Sequence, residues 1–132
     1  MTMKPTDLML GDFVFASPVS EFPMRVTLID EGGCYLNFEG NEGDPFDGDF
    51  GDNGMQPIPL TPEILKVNGW EVFYDGVRFV PYFHENDNHN VKYDKEAGIY
   101  TYHTIRFRYV HELQHIFRLC GKGEWADNFK IQ

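Results

Sequence analysis

The chain has 132 residues, 42% of them hydrophobic and 16% aromatic, which is enough for one compact unit or two very small ones with a core that needs no staples. Its 21 acidic residues outweigh 11 lysines and arginines, giving a formal charge of −10. That field repels phosphate backbones and anionic lipid, so it counts against direct nucleic-acid binding and against a membrane partner. The same charge leaves room for an acidic nucleic-acid mimic or inhibitor that meets a basic protein. Only Cys34 and Cys120 are present, far apart and in no metal-type spacing, as expected for reduced thiols in a cytoplasm. Residues Met1 to Asp7 hold no apolar segment of signal-peptide length, and no run approaches the ~20 apolar residues of a membrane helix. A cytoplasmic location is the expectation.

In chain order, Leu8 to Ala16, Met24 to Ile29 and Cys34 to Phe38 read as three short strands. Ser17-Pro18 with Phe22-Pro23 breaks the first connection, and Asp30-Glu-Gly-Gly33 is a glycine turn. Strands at Pro45 to Phe50 and Met55 to Pro57 complete a bent five-stranded arrangement of the small-barrel type, with glycines where strands must curve. The segment from Glu39 to Gly54 carries Glu39, Glu42, Asp44, Asp47, Asp49 and Asp52 without a basic residue. A calcium loop of the EF-hand kind does not fit, because counting from Asp47 puts Asp52 at the glycine position and Ile58 at the place of the bidentate Glu. A solvated turn and an edge strand protected by its charge fit better.

Gln56 to Trp70 is punctuation with a mechanism: Pro57 and Pro59 hold an extended approach, Thr61 can cap, Pro62 stands at the first helical position and Gly69 ends the helix. The helix runs from Pro62 to Asn68, burying Ile64, Leu65 and Val67, and links two halves. Asp75-Gly76 between β-rich runs signals a hairpin, and strands at Val91 to Tyr93 and Ile99 to Arg108 follow. In the last, Tyr100, Tyr102, Thr104 and Arg106 share one face and Ile99, Thr101, His103, Ile105 and Phe107 the other. The long helix Tyr109 to Cys120 then backs this sheet, and the tail from Trp125 to Ile131 docks to hide Trp125, Phe129 and Ile131. The expected fold is therefore α+β: a small β-barrel-like half at 1–57, then a linker helix, an antiparallel sheet of about four strands and the C-terminal helix at 58–132.

That last helix holds the one string that could name a chemistry, H-E-x-x-H at His111, Glu112 and His115. In a zinc hydrolase the two histidines bind the metal and the intervening Glu acts as general base on its water. The extended form of the motif would put a third ligand at Gly121, which cannot ligate, leaving Glu124, Asp127 or His103 to be proposed. At ~100° per residue, Val110, Leu113, Phe117 and Cys120 form an apolar stripe opposite His111, His115, Arg118 and Lys122. A dication is disfavoured beside two permanent cations, so the histidine face reads as a solvent-facing row, with no metal ligand, no catalytic residue and no cofactor. The alternative keeps His111 and His115 as zinc ligands and Glu112 as catalytic base. His84, His89 and His103 show no metal-type repeat, and the many tyrosines and phenylalanines of the second half read as packing.

Leu10-Gly-Asp-Phe-Val14, Val26 to Asp30, Gln56-Pro-Ile-Pro-Leu-Thr-Pro-Glu-Ile-Leu65, Gly69-Trp70 and Tyr109-Val-His-Glu-Leu-Gln114 with Gly121 resemble the framework of a family of small uncharacterised proteins encoded by bacteriophages and mobile elements of gut bacteria. The resemblance implies that genomic setting, a cytoplasmic site of action and no catalytic residues to carry over. The family's pattern tends to amides where this chain has Glu112 and His115, which makes the zinc-type string a local departure. The functional expectation is a non-enzymatic protein-interaction module with an unidentified protein partner.

Overall fold

The computed structural model describes all residues except 1–2, 42, 74–75, 80–89 and 103. Among the described residues it is a mixed α+β structure with two antiparallel sheets of five strands and three α-helices. The chain divides into two compact units: Met1–Ile58 with Tyr109–Asn128, and Pro59–Arg108 with Phe129–Gln132. Among the described residues no helix is long and apolar enough to cross a membrane.

The first unit begins with a 3-10 turn at Pro5–Asp7, then strands β1 (Phe13–Phe15), β2 (Pro23–Ile29), β3 (Gly33–Asn37), β4 (Phe46–Asp49) and β5 (Gln56–Pro57). The five strands overlap the five expected spans, but β1 takes only Phe13–Phe15 of the span from Leu8 to Ala16, because Leu10 and Gly11 form a turn. They pair in the order β4-β3-β2-β1-β5. The Asp30 to Gly33 turn is held as its residues predict: the Asp30 carboxylate accepts from the Gly32 and Gly33 N–H groups at 2.8 and 3.0 Å. The inward residues Val14, Met24, Val26, Cys34 and Leu36 join Met3, Leu8 and Met55 in one core cluster. The expected barrel does not form, since β4 and β5 lie at opposite ends of the order and the sheet stays open. A two-residue β5 whose second residue is Pro57 has too few N–H donors to close a ring.

In the second unit, α1 (Pro62–Val67) leads into β6 (Trp70–Val72), β7 (Gly76–Phe79), β8 (Asn90–Asp94), β9 (Ile99–Tyr102) and β10 (Ile105–Phe107). The helix signals hold: the Thr61 hydroxyl accepts from Ile64 N–H at 3.2 Å, Pro62 opens the helix and Gly69 ends it at φ +88°. Leu65 is buried, but Val67 points to solvent. β6 and β7 pair antiparallel with Val72 opposite Val77, while the turn at residues 74–75 lies outside the described residues.

The single long strand expected from Ile99 to Arg108 folds back on itself. Tyr102 faces Ile105 across a β9–β10 pair, which makes five strands instead of four. Folding back makes Tyr100 and Phe107 direct cross-strand partners, so the two rings stack at 5.4 Å on one buried face instead of lying on opposite faces. Tyr100 also stacks on Tyr93 at 4.4 Å and donates its hydroxyl to the Leu60 carbonyl at 3.1 Å.

The C-terminal region differs most from expectation. Helix α2 (Val110–Leu119) and a third helix, α3 (Gly123–Asp127), belong to the first unit, whereas the pattern of the sequence has the long helix backing the second sheet. The tail does dock: Trp125 packs edge-on against Phe117 with ring centres 5.6 Å apart, and Lys130 exchanges backbone hydrogen bonds with the Asn68 amide at 2.7 and 2.8 Å.

The capping at Thr61 yields a test. Thr61→Ala leaves the Ile64 N–H without its acceptor and is expected to lower unfolding stability by about 1 kcal/mol, with Thr61→Ser close to the natural chain, in urea denaturation followed by circular dichroism.

Candidate functional site

Helix α2 forms because Tyr109 to Leu119 contains no glycine or proline and repeats apolar residues at Val110, Leu113 and Phe117. All three are buried. At its start the Glu112 carboxylate reaches back to accept the Tyr109 N–H at 3.1 Å, so the acid of the H-E-x-x-H string is a helix cap, where it also complements the positive end of the helix dipole. His111 is in the same first turn.

The face carrying His111, His115 and Arg118 is not a solvent-facing row. It turns to Asp12, a fully buried carboxylate in the tight turn before β1. Asp12 Oδ1 accepts from Arg118 Nη1 at 2.6 Å, and Oδ2 meets His115 Nε2 at 2.5 Å and accepts the Met9 N–H at 2.7 Å. His115 and Arg118 are about one helical turn apart, a spacing that lets both reach one acid. Of the two cations that count against a metal when the helix is read alone, Arg118 is thus the partner of an anion that local sequence does not reveal, while Lys122 lies over the Trp125 ring. Gly11 makes room for the turn: its φ is +89°, and a Cβ there would stand 3.0 Å from Arg118 Nη2.

Beside this cluster the fully buried Gln114 amide joins three segments. Its Oε1 accepts the Phe13 N–H at 2.9 Å, and its Nε2 donates to the Gly11 and Ala126 carbonyls, both at 3.1 Å. Arg25 extends the network, donating to the Gly11 and Asp127 carbonyls at 2.8 and 2.5 Å and lying 4.1 Å over the Phe13 ring. Cys120, assigned to the apolar stripe, is instead exposed, because α2 has already ended at Leu119.

His111 is 2% exposed, its ring 5.9 Å from that of Tyr109 and 5.5 Å from that of His115. Its Nδ1 is buried without a hydrogen-bond partner among the described residues. Burial pushes the imidazole below its ordinary range and His115 adds to this, while Asp12, Glu112 and Asp7 oppose it. Among the described residues no group of three or more His, Cys, Asp or Glu is arranged to hold a metal ion. His103 lies outside the described residues, as do His84 and His89, and both Glu124 and Asp127 are exposed on α3. The chemistry supported by these contacts is structural: a charged, hydrogen-bonded clamp between α2, α3 and the entry to β1.

A second constellation lies on the surface of the first unit. Phe22, before β2, and Phe46, the first residue of β4, are 51% and 50% exposed, and Phe38, just after β3, stands between them. Phe38 packs edge-on to Phe22 at 5.1 Å and stacks on Phe46 at 6.0 Å, while itself resting on the core cluster. The neighbouring acids Glu21, Glu39, Asp44, Asp47 and Asp49 are exposed. Beyond Phe46, a shallow open cleft of about 210 Å³ is lined by Asp30, Cys34, Tyr35, Asp47 and Asp49 together with glycines. The Cys34 thiol beneath it is pushed up to about 11, first by burial and then by Asp30, which keeps it protonated and unreactive at neutral pH. The charge pattern of this acidic segment predicts an edge strand, which β4 is, but does not single out the three phenylalanines. They come from three separate loops or strand ends, and no local pattern links them.

Two outcomes test the buried cluster. Asp12→Asn strands the Arg118 charge and is expected to cost about 3 kcal/mol or more in urea unfolding at neutral pH. The pKa of His111 is lower folded than unfolded, so the folded state holds fewer protons. The resulting stability is complete above the unfolded value near 6.5 and is lost as pH falls below it. The natural chain should therefore lose more stability than His111→Phe when the pH is lowered from about 7.5 to about 5, and equal losses would remove His111 from the account.

No family model, curated protein or solved structure matches the chain.

Proposed function

We propose that the chain is a non-enzymatic protein-interaction module of the phage or mobile-element type, acting in the cytoplasm through the surface of its first unit. The observation that carries this reading is the Phe22, Phe38 and Phe46 cluster. Three packed aromatic rings, two of them half in water, form an apolar patch of the sort that marks protein contacts. The use of the zinc-type string supports it as well. Glu112 caps its helix, His115 is bonded to Asp12 and His111 is shut away from solvent, so all three side chains have structural work in the fold. The genomic setting rests on the resemblance of the Pro-Ile-Pro-Leu-Thr and Val-His-x-Leu-Gln stretches, and the cytoplasmic location on the thiols and charge.

Photo-crosslinking in the native cell tests the reading. Benzoyl-phenylalanine replacing Phe22 or Phe46 should give discrete adducts with a protein, whereas the same group at the exposed position of Lys66 should not. Adducts at neither aromatic position, or the same adducts at all three, would remove the patch as the working surface.

A further inference from the structure

We infer that the phenylalanine cluster and the outer edge of β4 together receive an extended segment of a protein partner in which apolar side chains alternate with lysine or arginine. This rests on the interaction-module reading and names the partner's chemistry.

The two ends of the first sheet are not equivalent. β5 is two residues long and Pro57 has no N–H, so it cannot pair further. β4 has no proline, and its other side is occupied by β3 in register from Phe46 opposite Leu36 to Asp49 opposite Gly33. As the last strand in the order it presents main-chain donors and acceptors to whatever lies beyond it. At its far end the Asp49 carbonyl already accepts the Met55 N–H at 2.7 Å, so an added strand would pair from Phe46 onwards and stop at Asp49. Strand addition of this kind takes affinity from the main chain and specificity from alternate side chains.

The side chains on offer select the occupant. Phe46 begins the strand with its ring stacked on Phe38, and Phe22 closes the patch, so an apolar residue of the added strand near Phe46 meets aromatic surface. Asp47 and Asp49, two apart and both exposed, share the opposite face. A lysine or arginine opposite each would lie across the cleft, its stem on Tyr35 and its charge among Asp30, Asp47 and Asp49. From Glu39 to Gly54 the chain has no basic residue to compete. A second copy of this chain is a poor occupant, because edge-to-edge pairing of two β4 strands brings Asp47 and Asp49 against like charges. Nucleic acid and anionic membrane are repelled for the same reason.

The test is a titration of the isotope-labelled full chain, by amide NMR, with three short synthetic peptides. One alternates valine with lysine around a central phenylalanine, a second has glutamate for lysine, and a third has proline at every second position of the first. The first peptide is expected to shift the resonances of Phe22, Phe38 and Phe46 to Asp49, and to bind about tenfold or more tightly than either of the others. Phe46→Ser, at a half-exposed site that leaves the core intact, should weaken it about tenfold, and Asp47→Asn with Asp49→Asn should weaken it and flatten its salt dependence. Equal binding of the basic and acidic peptides, no binding of any, shifts elsewhere, indifference to Phe46→Ser, or self-association through β4 without peptide would each overturn the inference. If the peptides fail while crosslinks still form at positions 22 and 46, the module reading stands and only the basic-strand partner falls.

Discussion

The carboxylate of Asp12 is the constraint on which the first unit depends. A charge taken wholly out of water is tolerated only when it is paired and fully hydrogen-bonded, and Asp12 meets that condition with one guanidinium, one imidazole and one backbone N–H. Arg118 and His115 lie on a helix far along the chain from Asp12, so the requirement joins the two ends of the sequence. Gln114, on the same helix, adds hydrogen bonds to the backbone on either side of Asp12 and to α3. Together these contacts explain why α2 groups with the N-terminal sheet and not with the strands that immediately precede it.

The same physics changes the meaning of the H-E-x-x-H string. Residue type and spacing satisfy a zinc site, and helical geometry argues against one by putting cations alongside the histidines. Both considerations treat α2 alone. Once the helix is placed, its polar face meets the buried Asp12 side chain and the members of the string serve separately as a cap, a hydrogen-bond partner of Asp12 and a buried ring. The polar residues specify which surfaces meet, while Val110, Leu113 and Phe117 supply the apolar burial.

With the interior clamp using the polar chemistry of α2, the surface features of the first unit stand out by contrast. Its open sheet has one end blocked by proline and one end armed with acid. The aromatic cluster sits at the acid-bearing end. An edge strand that carries charge resists pairing with its own copies, and the same charge makes it selective for a strand of opposite sign. One short segment, Phe46 to Asp49, thus combines an outer sheet edge, an exposed aromatic ring and two exposed carboxylates.

Local structure is legible in the order of the residues. Alternation and turn residues located the five strands of the first sheet, and Thr61, Pro62 and Gly69 bounded α1, because these are decided within a few neighbouring residues. The long α2 was legible for the same reason. The pairing of Tyr102 with Ile105 was not, since no glycine, proline or asparagine near them signals it and the benefit, stacking Tyr100 on Phe107, appears only after the strands pair. Whether the sheet closes, which unit receives α2 and what His115 and Arg118 face are settled by long-range contacts. Each of these depends on contacts between residues remote in the chain: the edge-blocking Pro57, the buried Asp12, and three phenylalanines that come together from separate segments. Burial of a charge and exposure of a ring are properties of the assembled surface, and no periodicity along the chain encodes them.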